Sequence, residues 1–186
     1  MTSGNLQAYS LTCLKNCLTF VAGMESVSTS PTVVGELYNL TDPDSSEKRQ
    51  ATIYKNALEI LIVLCNYLEN GFALVHSAAK KLARQKNSAN KGGALEKPYK
   101  NFVGLLKCGD MDVMINTLTL MNLMLSKAPS DLSGKKLLFR WKTLGINEIL
   151  EVFSDGQPKS AQKKISIQFP LPSPSFSSDI NYYFRQ

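Results

Sequence analysis

The sequence has little of what enzymes usually draw on. It holds a single histidine, His76, and that residue lies in an amphipathic pattern with no acidic or nucleophilic motif around it. A half-buried structural role suits it better than proton transfer. There are only four cysteines, Cys13, Cys17, Cys65 and Cys108. Cys13 and Cys17 stand one helical turn apart, yet no further Cys or His pair completes a four-ligand zinc site. All four fall inside apolar helical patterns, where a free thiol behaves as a small hydrophobe and a reducing compartment is expected. Gly92-Gly93 follows a lysine, but the Gly-Lys-Ser/Thr order of a phosphate-cradling loop and the strand before it are missing. These gaps leave no catalytic, cofactor or metal site to name, and no enzymatic activity is expected.

Long unbroken apolar runs are also missing. The best candidate, Val113 to Ser126, is too short to cross a bilayer and is interrupted by Asn116 and Asn122, whose amides would be costly in lipid. The N-terminus shows no basic segment leading into an apolar run, so no secretory signal is expected and a cytoplasmic body is. No hairpin dipeptide or alternation of strands and helices argues for a sheet. Charged residues make up only 19% of the 186 residues while hydrophobic ones make up 44%, which favours one domain with a substantial core over disorder. The formal charge of +6 comes largely from one region, so it points only weakly to nucleic acid or anionic lipid.

What the chain does have is helical periodicity. From Asn5 to Ala22, Leu11, Leu14, Leu18 and Val21 share one face, with Gly23 as the expected stop. Met24 to Ser28 reads as a short helical turn. Ser30-Pro31 opens a helix faced by Val33, Val34, Leu37 and Leu40, which Thr41-Asp42-Pro43-Asp44 breaks. From about Glu47 to Glu69 a long helix faces inward through Ala57, Leu58, Leu61, Leu64, Cys65 and Leu68, with Asn70-Gly71 expected to close it. Phe72 to Gln85 turns Phe72, Val75, Ala79 and Leu82 inward. The stretch 86–97 has almost no apolar content and reads as a mobile insertion. Pro98 is expected to open a helix carrying Phe102, Val103, Leu105 and Leu106, closed by Gly109.

The longest apolar element is Met111 to Pro129, with Asp110 and Asp112 favouring its start. Met114, Leu118, Met121 and Leu125 recur at helical spacing as the packed stripe, beside a more polar stripe of Ile115, Thr119, Asn122 and Ser126. Leu132 to Leu144 then faces inward through Leu137, Leu138, Trp141 and Leu144. Gly145 separates it from a short helix over 146–153. Beyond, 154–186 turns to Ser, Pro, Lys and Gln and reads as a flexible tail without a core.

These elements repeat. Leu11, Leu58 and Leu118 hold equivalent places, 47 and 60 residues apart, and the longer gap contains the glycine-bearing insertion. Without that insertion both gaps approach the roughly 40–47-residue period of armadillo and HEAT arrays. TVVGELYNLTDPD, YKNFVGLLKCGDMD and INEILEVFSDG each set an apolar helical turn before an Asp and a Gly or Pro break, as the middle helix of a three-helix repeat would. The expected fold is all-α: an armadillo/HEAT-like right-handed superhelix of about three to four repeats over 1–153.

In such a stack the inner helices line one surface, so a partner should meet the stripe beside the packed one. Three stripes align as a candidate groove: Thr12, Asn16 and Thr19; Lys55, Glu59, Ile62 and Asn66; and Ile115, Thr119, Asn122 and Ser126. Together they form a ladder of small polar and apolar groups suited to an amphipathic helix. A second candidate is the basic cluster Lys80, Lys81, Arg84, Lys86, Lys91, Lys97 and Lys100. It reads first as a solvated face with a linker, and otherwise as a weak contact for acidic lipid headgroups or an acidic partner surface. It lacks the interleaved aromatics that single-stranded nucleic acid needs, so nucleic acid is not expected.

Leu11 to Leu150 resembles the amino-terminal armadillo region of formins, known as formin homology region three. LTCLKNCLTFVAGMESV resembles that family's helix ending in a glycine and continuing into an apolar turn. KNALEILIVLCNYLENG resembles its leucine-rich helix. NTLTLMNLMLSKAPSDL followed by FRWKTLGINEIL resembles its inner helix with a central Asn and the turn before the last helix. The spacing is most similar to the FHOD-type formins. Asn122 stands where the family's motif places a groove-lining Asn, and Thr19 replaces an Asn at the equivalent place upstream.

The resemblance implies a non-catalytic regulatory domain that binds a carboxy-terminal autoregulatory segment of a formin. A Rho-family GTPase acting on this end relieves the inhibition. Actin is engaged only through a separate domain that has no counterpart here, and a cytoplasmic, cytoskeleton-associated location follows. Two alternatives stay open: an armadillo scaffold of the engulfment and motility (ELMO) type that assists a guanine-nucleotide exchange factor, and a basic adaptor for membrane or nucleic acid.

Overall fold

A computed structural model describes residues 3–44, 50–89 and 95–150. The expected tail, 154–186, and the centre of the expected insertion, 90–94, lie outside the described residues. Eight helices are bounded: α1 Ser3–Cys17, α2 Val21–Ser28, α3 Pro31–Leu40, α4 Ala51–Tyr67, α5 Gly71–Ala89, α6 Lys100–Leu106, α7 Met111–Ser126 and α8 Asp131–Lys142. A further helix begins at 146, and no strand occurs among the described residues. The fold is all-helical and armadillo-like, as the repeat pattern implies. α2, α3 and α4 form one three-helix unit, α5, α6 and α7 the next, and α8 opens a third.

The three helices that carry Leu11, Leu58 and Leu118 lie side by side, with α4 between α1 and α7. α4 also packs on α3 and α5, so Leu58, Ile60, Leu61, Leu64 and Cys65 are fully buried. Each such aliphatic side chain contributes about 1.5–3 kcal/mol by leaving water. The buried face of α7 is rotated from the expected stripe. Val113, Met114, Thr117, Leu120, Met121 and Met124 are buried, while Leu118 and Leu125 are only half-buried at its edge. Packing on α4, α6 and α8 at once draws a wider arc inward than one partner would. Thr117 joins it because its hydroxyl donates to the Val113 carbonyl at 2.7 Å, which satisfies the polar group inside the core.

Glycine serves two purposes. Gly109 and Gly145 adopt positive φ, 80° and 77°; Gly109 lies in the turn that closes α6, and Gly145 separates α8 from the next helix, as expected. Gly23 and Gly71 do not close helices; they lie within α2 and at the start of α5. A Cβ on Gly23 would sit 2.1 Å from the Cys17 carbonyl oxygen, and one on Gly71 would sit 2.3 Å from that of Leu64. Both therefore let the chain fold tightly back over the end of the preceding inner helix. Consequently α1 stops at Cys17 rather than running to Ala22, and Val21, expected inside, is exposed.

Other boundaries shift for local reasons. α5 runs to Ala89, so 86–89 is helical rather than part of a loop. Asn87 then bridges to the returning chain: its Oδ1 accepts from the Glu96 N–H at 2.6 Å and its Nδ2 donates to the Glu96 carbonyl at 3.1 Å. α6 begins at Lys100 rather than Pro98, because Tyr99 takes a left-handed conformation, φ 73°, that drives its ring into the core. Asp110 caps α7 as expected, accepting from the Val113 N–H at 3.0 Å, and Ser130 caps α8, accepting from the Ser133 N–H at 3.2 Å. Of the cysteines only Cys65 is buried. Cys13, Cys17 and Cys108 are exposed, since among the described residues α1 packs chiefly on α4 and Cys108 lies in the turn after α6.

Polar and aromatic contacts tie successive units together. Buried Asn101 on α6 accepts from the Tyr38 hydroxyl at 2.9 Å and donates to Thr41 Oγ1 at 2.8 Å, linking it to the end of α3. Burial holds the Tyr38 phenol well above its usual range. Tyr38, Phe102 and Trp141 run in sequence from α3 through α6 to α8, with ring centroids 6.2 and 6.4 Å apart.

Candidate functional site

The expected ladder lies on the adjoining helices α1, α4 and α7. Thr12, Asn16, Thr19, Asn66 and Ser126 are exposed, and Lys55, Glu59, Ile62, Ile115, Thr119 and Asn122 are half-buried. Thr19 stands just beyond the end of α1. Most of the hydroxyls are turned back on their own helices. Thr12 donates to the Ala8 carbonyl at 3.0 Å, Thr19 to Asn16 at 2.7 Å, Thr119 to Ile115 at 2.8 Å and Ser126 to Leu123 at 3.0 Å. They present methyl and methylene groups outward more than free donors. Ile62 leans against the core cluster.

Two ladder residues act as ties between helices. Glu59 pairs with Lys15 of α1, and Lys55 Nζ lies 2.6 Å from Asp112 Oδ2 of α7. The hydrogen bond that Lys55 donates to Asp112, reinforced by the charge of that carboxylate, raises the Lys55 pKa. One part of the face is thus braced by ion pairs, while Ile62, Asn66, Thr119, Asn122 and Ser126 make no such bond between helices. Two neighbours escaped the sequence reading. Tyr67, at the end of α4, is 74% exposed, and its position directly after Asn66 was the available signal. Asn116 Nδ2 is buried with no hydrogen-bond partner among the described residues.

The basic cluster does not hold together as one patch. Lys86 Nζ lies 2.7 Å from Asp42 Oδ1, and Lys100 Nζ lies 2.7 Å from Glu96 Oε1. Lys86 thus ties α5 to the chain just after α3, where the Asp42 side chain is nearly inaccessible, and Lys100 ties the start of α6 to the segment before it. Lys80, Lys81, Arg84 and Lys97 are exposed, and Lys91 lies outside the described residues. His76 is half-buried, stacked between Phe72 and Tyr99 and hydrogen-bonded through Nδ1 to the Tyr99 hydroxyl. Desolvation, then the charges of Lys80 and Arg140, lower its pKa, so it stays neutral at physiological pH. Burial likewise pushes the Cys65 thiol up to about 11, which keeps it protonated and inert.

Among the described residues no group of three or more His, Cys, Asp and Glu side chains is placed to hold a metal. No described helix is long and apolar enough to cross a membrane. The helices α1, α4 and α7 lie side by side and carry small polar and apolar side chains that are exposed or half-buried. The sequence profile of the FHOD1/3 FH3 domain matches residues 4–149.

The chain belongs to the formin family. Formin-G of Dictyostelium discoideum is 36% identical over 165 residues, which is 88% of this chain and 14% of that protein. Formin-C of the same organism is 36% identical over 148 residues, 80% of this chain and 12% of that protein. This formin chain therefore spans about an eighth of the length of the curated relatives it matches. The match decides between the two armadillo readings in favour of the formins over the engulfment type. It also covers the whole repeat array, so α1, α4 and α7 all fall inside the formin FH3 region.

Proposed function

We propose that the chain is a non-catalytic regulatory module of a formin, in which the joined face of α1, α4 and α7 binds an amphipathic helix. The occupant is the carboxy-terminal autoregulatory segment of a formin. A Rho-family GTPase engages the same regulatory end and weakens that contact, so that actin assembly in the cytoplasm is controlled without this chain touching actin. The observation that carries the reading is that three equivalent helices lie side by side, with small polar and apolar side chains on each left exposed or half-buried. Membership of the FH3 family supports the regulatory assignment.

The central rungs are Ile62 and Asn122. A charge placed there would be desolvated without a partner by a bound helix, costing several kcal/mol. Asn122→Asp is the cleaner substitution, because Ile62 also leans on the core. Isothermal titration with a synthetic formin autoregulatory peptide should show tight binding to the native chain and at least about a tenfold loss in Asn122→Asp, with thermal unfolding unchanged. Equal affinity in the variant would remove the face from consideration. Competition by a GTP-loaded but not a GDP-loaded Rho-family GTPase tests the regulatory half of the reading.

A further inference from the structure

A second surface, formed by different helices, carries a sharper electrostatic signature. α8 buries Leu137 and Trp141 and turns Lys135, Lys136, Phe139, Arg140 and the following Thr143 the other way. With Lys97 and Pro98, from the turn before α6, these residues line an open cleft of about 490 Å³. The basic cluster expected from the sequence is thereby reassembled. Lys86 and Lys100 leave it for internal ion pairs, while Lys97 stays and the cations of α8 join.

No described carboxylate pairs with Lys97, Lys135, Lys136 or Arg140; Glu96, the nearest in sequence to Lys97, is taken by Lys100. Four like charges around one cleft repel each other, and an anion settling among them relieves that cost. The rest of the chain is poorly suited to supply it. Residues 151–186 carry four Lys and Arg against three Asp and Glu, and 90–94 carry Lys91 with no acid. The cleft also has an apolar wall: Phe139 is 69% exposed and shares the lining with Pro98. A bilayer favours a protruding apolar ridge over a recess, and single-stranded nucleic acid needs successive aromatic platforms where there is one ring. A peptide can put carboxylates on the lysines and an apolar side chain between the ring and the proline.

We infer that this cleft is a docking site for an acidic peptide segment of a partner protein, with Asp or Glu side chains meeting Lys97, Lys135, Lys136 and Arg140 and an apolar side chain seated against Phe139 and Pro98. The site is independent of the α1, α4 and α7 face and can stand or fall separately.

The probe is a fluorescein-labelled peptide of mixed Asp and Glu with one central Phe, followed by fluorescence anisotropy. The native chain should bind it, with affinity falling as salt rises. Lys136→Glu/Arg140→Glu should weaken binding at least about tenfold, and Phe139→Ser about threefold at any salt. Lys107→Glu, an exposed lysine outside the cleft, and Asn122→Asp should bind as the native chain does. Far-UV circular dichroism and thermal unfolding confirm that each variant folds. The inference is overturned if the native chain ignores the peptide, if the double variant binds it unchanged, or if vesicles of phosphatidylserine and phosphatidylcholine, rather than the peptide, are what the double variant loses.

Discussion

α1 and α4 are the same element of two successive repeats, and they have different fates. α4 has helices on several sides, α1, α3, α5 and α7, whereas α1 packs chiefly on α4. α4 buries eight of its residues. α1 buries Leu11 and leaves Leu6 and Tyr9 each 66% exposed. α4 is also the more apolar segment, with Ile53, Leu58, Ile60, Leu61, Ile62, Val63 and Leu64 where α1 has Leu6, Leu11 and Leu14, so residue type and number of neighbours act together in deciding what becomes core. Stability in a stacked array is a sum of units and of the interfaces between them, and an end helix has half the interfaces.

The largest expected effect exploits that difference. Leu58 is fully buried in α4 and Leu11 is its counterpart in α1. Leu58→Ala leaves a cavity closed in by other helices and should cost about 3–4 kcal/mol. Leu11→Ala opens toward a side that can relax and should cost about 2 kcal/mol or less. Urea unfolding of the two variants measures both values. Equal losses would mean that α1 is as constrained as α4 and that the comparison has no energetic content.

The same contrast explains what was legible in the sequence. Helix type and the recurrence of α1, α4 and α7 were readable because they rest on local periodicity, but the register within α7 was not, since Leu118 is half-buried where Leu11 and Leu58 are buried. The ladder residues were readable as positions, but not what they do. That Glu59 and Lys55 are taken by Lys15 and Asp112 depends on pairs 44 and 57 residues apart, a separation with no local signature. The cleft beside α8 was missed because Lys97 and Lys135 belong to different repeats, and composition alone grouped Lys97 with its sequence neighbours instead. The glycines were misassigned for a related cause. A glycine that ends a helix and one that admits a neighbouring backbone look identical until the neighbour is placed.

Those glycines give the next test. Gly23 and Gly71 occupy matching corners, where α1 passes into α2 and α4 into α5. An added Cβ meets backbone in each case, the Cys17 carbonyl or the Leu64 carbonyl and the Cys65 Cα, so no side chain can swing aside. Gly71→Ala should destabilise by about 2–3 kcal/mol, because both helices it separates are held in the core. Gly23→Ala has the shorter contact but lies at an end where α1 can shift, and about 1–2 kcal/mol is expected. Thermal unfolding ranks them. A larger loss at Gly23 would show that the α1 corner is the stiffer one, reversing the comparison.

The smallest effect concerns how the end helix is held. Lys15–Glu59 joins α1 to α4, and Lys55–Asp112 joins α4 to α7. Surface ion pairs contribute little to global stability, so neither Lys15→Met nor Lys55→Met should move the unfolding midpoint much. Local opening is the more sensitive observable, since a helix with few buried contacts exchanges its amides through small fluctuations rather than through global unfolding. α7 is fastened by six buried residues, and losing Lys55 should leave its protection unchanged. Among the residues of α1 whose burial is described, Leu11 alone is buried, so the pair with Glu59 is a larger share of what holds it. Hydrogen exchange of α1 should quicken about threefold in Lys15→Met, and added salt should produce the same change in the native chain by screening the pair. If α7 in Lys55→Met quickens equally, the difference between an end helix and a central one does not extend to their surface ties.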